Sequence, residues 1–214
     1  MSYAIPPLTR VPVTQKGITI ADFLVPVRVG ERVSPRLRNV VLVATGALLI
    51  FLTARVSVVI PGNPVPFTLQ NLGILVVGGA LGLRRGGLAA ALYVALGMIG
   101  LPLFAGGQGG LDVMFGATGG YLVGFVLAAA LVGRLAELGW DRRIGGAFGA
   151  TLLGTAMIYL VGVPWLAVTT GLSAGEALAT GLVPFVLPDI AKLAVAAVVF
   201  PAAWWVVGRR PSER

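Results

Sequence analysis

The sequence predicts an all-α integral membrane protein with six transmembrane helices and both termini in the cytoplasm. Three observations carry this expectation. Of 214 residues, 57% are hydrophobic and only 11% are charged, less than half the roughly 25% typical of soluble domains. Mean hydropathy is +0.94. The apolar residues also gather in runs near the length of about 20 residues that a bilayer crossing needs, separated by Gly/Pro clusters and arginines.

Residues 1–36 read as a basic cytoplasmic leader. Pro6, Pro7, Pro12, Pro26 and Pro35 break any long helix there, and no continuous apolar core of a cleavable signal peptide is expected. A short helix fits near Ile18, taking in Ala21, Asp22, Phe23 and Leu24. Residues 37–208 read as one six-helix membrane domain and 209–214 as a cytoplasmic tail.

The first span covers about 37–60 and ends at Pro61-Gly62-Asn63-Pro64. The second covers about 67–83 and stops at Arg84-Arg85-Gly86-Gly87; the third covers about 88–101. The fourth runs from about 118 to 138, with Asp141-Arg142-Arg143 as the polar turn after it. The fifth runs from about 144 to 168. Residues 173–182 suit a short amphipathic helix, with Ser173 and Glu176 at capping-box spacing. The sixth span covers about 183–207, closed by Arg209-Arg210. Small residues such as Gly78, Gly79, Gly97, Gly146 and Gly154 permit close helix packing. No internal repeat is evident, which disfavours a transporter built from inverted repeats.

Orientation follows from the basic residues. Arg10, Lys16, Arg28, Arg32 and Arg36 lie in the leader and Arg38 at its edge. Arg84 and Arg85, then Arg134, Arg142 and Arg143, then Arg209, Arg210 and Arg214 fall on the same side of a six-span chain. The connections after spans one, three and five carry no Lys or Arg. Basic residues mark the cytoplasmic side, so the connection after span three faces outward.

That connection is rich in glycine: LPLFAGGQGGLDVMFGATGGYLVGF over 101–125. Glycine lets a backbone take positive φ and come close to a ligand. Irregular backbone at membrane depth belongs in protein or along a cavity. The run is therefore either a structural reverse turn or a binding loop that roofs a small molecule. On the binding reading, Phe104, Gly107, Gly109, Gly110, Thr118, Gly120 and Tyr121 are candidate ligand contacts.

Ionisable residues inside spans are functional candidates, and here they are Arg55, Asp189 and Lys192. Asp189 and Lys192 stand three apart and share a helix face. They act either as a salt bridge pinning the sixth helix or as the polar centre of a site. An apolar pair would be the simpler helix support, so we read them as the site. Arg55 either snorkels to the headgroups or attracts an anionic ligand. Thr68 suits a helix cap, after which Gln70 and Asn71 offer amides to a ligand. Tyr93 carries a hydroxyl that needs a partner if buried. Asp112 reads as solvated.

Several function classes are excluded. The net charge is +8, but the arginines sit between apolar segments, a membrane pattern that does not suit nucleic acid. Cysteine and histidine are absent, which removes disulfides, Cys/His metal sites and Cys-His or Ser-His-Asp catalysis. There is no GxxxxGK[ST] run for nucleotide binding. The expectation is a binding subunit, not an enzyme, with no cofactor.

These stretches together resemble the BioY family, the biotin-specific S components of energy-coupling factor transporters. The resemblance spans about 37–207. It rests on PVPFTLQNLGILVVGGALG (64–82), Tyr93 with GMIGLPLFAGGQGG (97–110), Thr118-Gly119-Gly120-Tyr121 continuing to Gly124-Phe125, and Pro184, Phe185, Asp189 and Lys192. Ala117 stands where family members usually have Pro. The family's Ala-x-x-x-Ala signature of the first helix, used for docking on the T subunit, is not present in strict form, with Ala44, Gly46 and Ala47 nearby. The resemblance implies six helices in the cell membrane, an outward-facing biotin site, and partnership with a membrane T subunit and paired ATPases. An S component for another vitamin and a stand-alone secondary carrier are the alternatives.

Overall fold

A computed structural model of the chain describes residues 17–24 and 34–208. The rest of the leader and the tail, with their prolines and arginines, lie outside the described residues. Helix α1 (Ile20–Leu24) is the short leader helix expected from the sequence. Helix α2 (Pro35–Ala54) starts where Ser34 Oγ accepts from the Leu37 N–H at 3.2 Å. Pro35 takes the first helical position, where its missing N–H costs nothing.

After α2 the chain forms a small antiparallel ribbon, β1 (Ser57–Val58) against β2 (Phe67–Thr68), with Ser57 opposite Thr68. Helix α3 (Gln70–Met98) follows. It is broken at Gly82, which has φ 85° and ψ 178°. In a continuous helix, residues 78 and 86 would stand about 12 Å apart. Here a Cβ on Gly86 would lie 2.8 Å from the Gly78 Cα, so the chain folds back on itself at Gly82. The turn comes before Arg84-Arg85-Gly86-Gly87, the expected stop, because a residue that tolerates positive φ sets the corner. Glu137 Oε1 accepts from the Leu83 N–H at 2.9 Å and receives the new start of the helix.

Next come a short 3-10 turn (Ala105–Gly107) and α4 (Leu111–Phe115). Helix α5 (Gly119–Glu137) is followed by a left-handed Gly139 and a second 3-10 turn (Trp140–Arg142). Helix α6 (Ile144–Thr170) precedes α7 (Ala174–Gly181), which carries the predicted capping box between Ser173 and Glu176. Helix α8 (Val183–Gly208) contains Pro188 and Pro201. Among the described residues, five helices (α2, α3, α5, α6 and α8) are long and apolar enough to cross a membrane.

α3 packs between α2 and α5, α6 packs on α5, and α8 packs on α6 and α3. The main core joins Ile50, Ile74, Val77, Tyr93, Phe125 and Leu166. A second core joins Ile20 of α1 to Ala196, Ala197, Phe200 and Trp204 of α8. Leu48, Leu49, Leu52, Leu152, Val195 and Val198 point outward, as expected of helices whose solvent is lipid. Small residues mark the tight crossings: Gly79 lies under the Phe200 ring and Gly154 between Val132 and Leu75, whereas Gly100 and Gly145 have open space.

One end of the bundle is charged. Asp22 Oδ1 lies 2.8 Å from both Arg38 and Arg85, tying α1 to the starts of α2 and of the second half of α3. Burial pushes the Asp22 carboxyl up, but the bonds from Arg85 and Thr19 outweigh it and hold it below the ordinary 3.8. Arg134 pairs with Glu137 at the same end.

Candidate functional site

At the opposite end from that charged cluster lies a cavity of about 400 Å³, within the 300–1,000 Å³ range of small-molecule sites. Its roof is the 59–66 connection, with Val59, Asn63, Pro64, Val65 and Pro66. One side is the glycine-rich connection, with Phe104, Ala105, Gly106, Gln108, Asp112, Val113 and Gly116–Thr118. Helices supply the floor and remaining walls: Gln70 and Asn71 from α3, Tyr121, Leu122 and Phe125 from α5, Ile158 and Tyr159 from α6, Phe185 and Lys192 from α8.

The roof is anchored. Asn63 Nδ2 donates to the Thr180 carbonyl at 3.2 Å, and Asn63 Oδ1 accepts from the Val65 N–H at 2.9 Å. Phe67 stacks on Phe185 with ring centroids 4.3 Å apart.

The polar centre is a closed network. Lys192 Nζ donates to Asp189 Oδ1 at 2.8 Å, to Asn71 Oδ1 at 2.9 Å and to the Thr68 carbonyl at 2.8 Å, which occupies all three ammonium protons. Asp189 Oδ1 also accepts from Asn71 Nδ2 at 2.7 Å, and Oδ2 accepts from the Tyr159 hydroxyl at 2.6 Å. Burying two ions is expensive unless geometry and further hydrogen bonds compensate; here two amide atoms, a phenol and a backbone carbonyl do so. Gln70 is 3% exposed, and its Nε2 has no partner among the described residues. A buried amide donor left unpaired is costly.

Of the residues expected from the sequence, Gln70, Asn71, Phe104, Thr118, Tyr121 and Lys192 line the cavity. Asp189 stands behind the wall, 3% exposed, and is bonded to the lining residues Asn71, Tyr159 and Lys192. Tyr93 is fully buried; its hydroxyl donates to the Leu103 carbonyl at 3.0 Å and its ring meets the edge of Phe104, which it props. Four glycines lie off the wall. A Cβ on Gly109 would meet the Leu101 and Gly97 carbonyls, and one on Gly120 would meet Trp165 and the Val161 carbonyl. Gly110 has φ 97° and donates its N–H to the Gly97 carbonyl at 2.7 Å. Gly107 sits beside Arg55, whose guanidinium lies over the Phe51 ring at 5.2 Å. Gly107, Gly109 and Gly120 leave room for protein, and Gly110 supplies a positive φ; Gly106 is the glycine of the run at the cavity.

Sequence reasoning missed Tyr159, Asn63 and Gln108 and read Asp112, a lining residue, as merely solvated. A tyrosine in an apolar helix signals a missing partner, and that was the available clue to Tyr159.

The comparisons with known proteins bear on the family. The BioY family model matches residues 23–209. The chain belongs to the BioY family. It is similar to the biotin transporter BioY of Rhodobacter capsulatus, 38% identical over 174 residues, which cover 76% of this chain and 90% of the relative. It is also similar to the biotin transporter BioY of Thermotoga maritima, 42% identical over 140 residues, or 65% of this chain and 81% of the relative. A crystal structure of the S-component for biotin from an ECF-type ABC transporter superposes with a TM-score of 0.71 at 28% identity, covering 78% of this chain and 90% of that one. Membership of the BioY family makes this a transport protein and not an enzyme, and its apolar helices make it a multi-pass protein of the cell membrane.

Proposed function

We propose that this chain is the substrate-binding membrane subunit for biotin uptake, taking biotin into the cavity from outside and passing it inward with an ATP-driven coupling module of a T subunit and paired ATPases. The observation that carries the reading is the part-buried Asp189–Lys192–Asn71–Tyr159 network on an otherwise largely apolar cavity wall. Biotin's ureido ring has two N–H donors and a carbonyl acceptor, its thioether ring is apolar, and its tail ends in a carboxylate. Phe104, Phe125, Phe185 and Leu122 suit the apolar rings. In our pose the ureido carbonyl replaces one protein acceptor of Lys192, and Asn71 and the unpaired Gln70 amide hydrogen-bond the ligand. The carboxylate of Asp189 backs them.

Two features support six crossings with both ends inside. α3 counts twice because it turns at Gly82. Arg38, Arg85 and Arg134 gather at the end away from the cavity, and basic residues favour the cytoplasm. Calorimetry on the detergent-purified chain tests the reading. Biotin should bind, and other water-soluble vitamins should not. Selective binding of a different vitamin, or of none, overturns the assignment. Co-purification with T and ATPase subunits tests the partnership.

A further inference from the structure

Tyr159 lies on α6, which packs against α8, and is remote in sequence from every other member of the polar network. Its hydroxyl donates to Asp189 Oδ2 at 2.6 Å, the short range of a charge-assisted bond. Among the described residues it is the only donor to that oxygen. The other oxygen, Oδ1, is held by Asn71 and Lys192 at 2.7 and 2.8 Å. The carboxylate is therefore gripped from two sides, and its plane is fixed by α6 on one oxygen and by α3 and α8 on the other. The Tyr159 ring is held in turn, meeting the Tyr121 ring edge-on at 6.2 Å, while the Tyr121 hydroxyl donates to the Gly181 carbonyl at 2.9 Å.

We propose that Tyr159 is a positioning residue for ligand recognition. By locking Asp189 Oδ2 it keeps Oδ1 aimed at Lys192 and Asn71, so that these two present a fixed acceptor-and-donor pair to the cavity. A planar urea, with donors and an acceptor on one edge, requires such a fixed pair. Without the phenol, Oδ2 has no donor in an apolar setting, and the carboxylate turns to find one. The Lys192 and Asn71 bonds then shift with it. The inference rests on the reading of this cavity as the biotin site.

The test is a double-mutant cycle on the full-length, detergent-purified chain: Tyr159→Phe, Asp189→Asn and both together, with biotin affinity and melting temperature measured on each. Tyr159→Phe keeps the ring and its packing and should weaken biotin by about tenfold or more. The double variant should bind no more weakly than Asp189→Asn alone, because Tyr159 acts through Asp189. Biotinamide, which lacks the tail carboxylate, should lose the same factor as biotin. Unchanged affinity in Tyr159→Phe, or losses that multiply in the double variant, overturn the inference. If Tyr159→Phe does not yield monodisperse protein, 3,5-difluorotyrosine at 159, a stronger donor of the same shape, must change the affinity; an unchanged value overturns it. Failure of the unaltered chain to bind biotin removes the functional reading and this inference together, whereas normal binding by both the unaltered chain and Tyr159→Phe removes the inference alone.

Discussion

Lys192 Nζ, on the last long helix, lies 2.8 Å from the carbonyl oxygen of Thr68, in the ribbon that precedes α3. The bond joins chain segments 124 residues apart and binds the roof ribbon to the polar centre. With Asn71 and Asp189 as its other acceptors, the ammonium is held at the cavity wall with every proton paired.

Gly120 is a packing residue, and its replacement should act on the fold. A Cβ there would fall on Trp165 and the Val161 carbonyl where α5 meets α6. Overpacking of this kind costs about 1–3 kcal/mol. Gly120→Ala should lower the melting temperature, and the fraction that remains folded should bind ligand normally. Weakened binding at an unchanged melting temperature would return Gly120 to the site.

Asp141 sets a pH dependence. It is 2% exposed, between α5 and α6, and accepts from Trp204 Nε1 at 2.6 Å. Burial pushes its carboxyl up to about 6, against the opposing pull of the Trp204 bond and Arg142. A folded value above the unfolded 3.8 means that the stabilisation is present below the unfolded value and is lost as pH rises through about 6. The melting temperature should fall between about pH 4 and pH 6.5, and Asp141→Asn should flatten that fall, since Asn can still accept from Trp204. A tenfold change in a protonation equilibrium is worth about 1.4 kcal/mol, so the effect is on the order of 2–3 kcal/mol at most. An identical pH profile in the variant would sink the idea.

Sidedness can be read directly because the chain has no native cysteine. Gly175, at the start of α7, and Gly145, at the start of α6, both have open space around them. A charged, membrane-impermeant maleimide should label Gly175→Cys in intact cells and reach Gly145→Cys only after permeabilisation. The reverse pattern would invert the topology.

Much of the fold was legible in the sequence because apolar runs of bilayer length end at charges and Gly/Pro clusters. The capping box of α7 and the short leader helix were legible for the same local reason. The corner at Gly82 was not. Arg84-Arg85 looks like a natural stop, while the need for positive φ leaves no mark on hydropathy. At the candidate site, Asp189 and Lys192 were singled out because an i, i+3 pair of charges in an apolar helix stands out. Tyr159 and the Thr68 carbonyl were missed because their bonds cross 30 and 124 residues of chain. The structure places Gly107, Gly109, Gly110 and Gly120 off the cavity wall, and the sequence could not show this, since glycine makes room for protein backbone as readily as for a ligand; Gly109 and Gly120 do the former.

On the proposed function, the Asp189–Lys192 pair organises the ligand site and does more than brace α8. The direct test is biotin affinity on monodisperse Asp189→Asn and Lys192→Met, with melting temperatures taken on the same samples. Asp189→Asn should weaken binding by roughly one to two decades, since each lost or mismatched buried bond costs about 1–3 kcal/mol and 1.4 kcal/mol is about tenfold. Lys192→Met should weaken it at least as much, because it also strands the Asp189 carboxylate. Unaltered affinity in both variants, with only their melting temperatures lowered, would contradict the proposal and make the pair a scaffold.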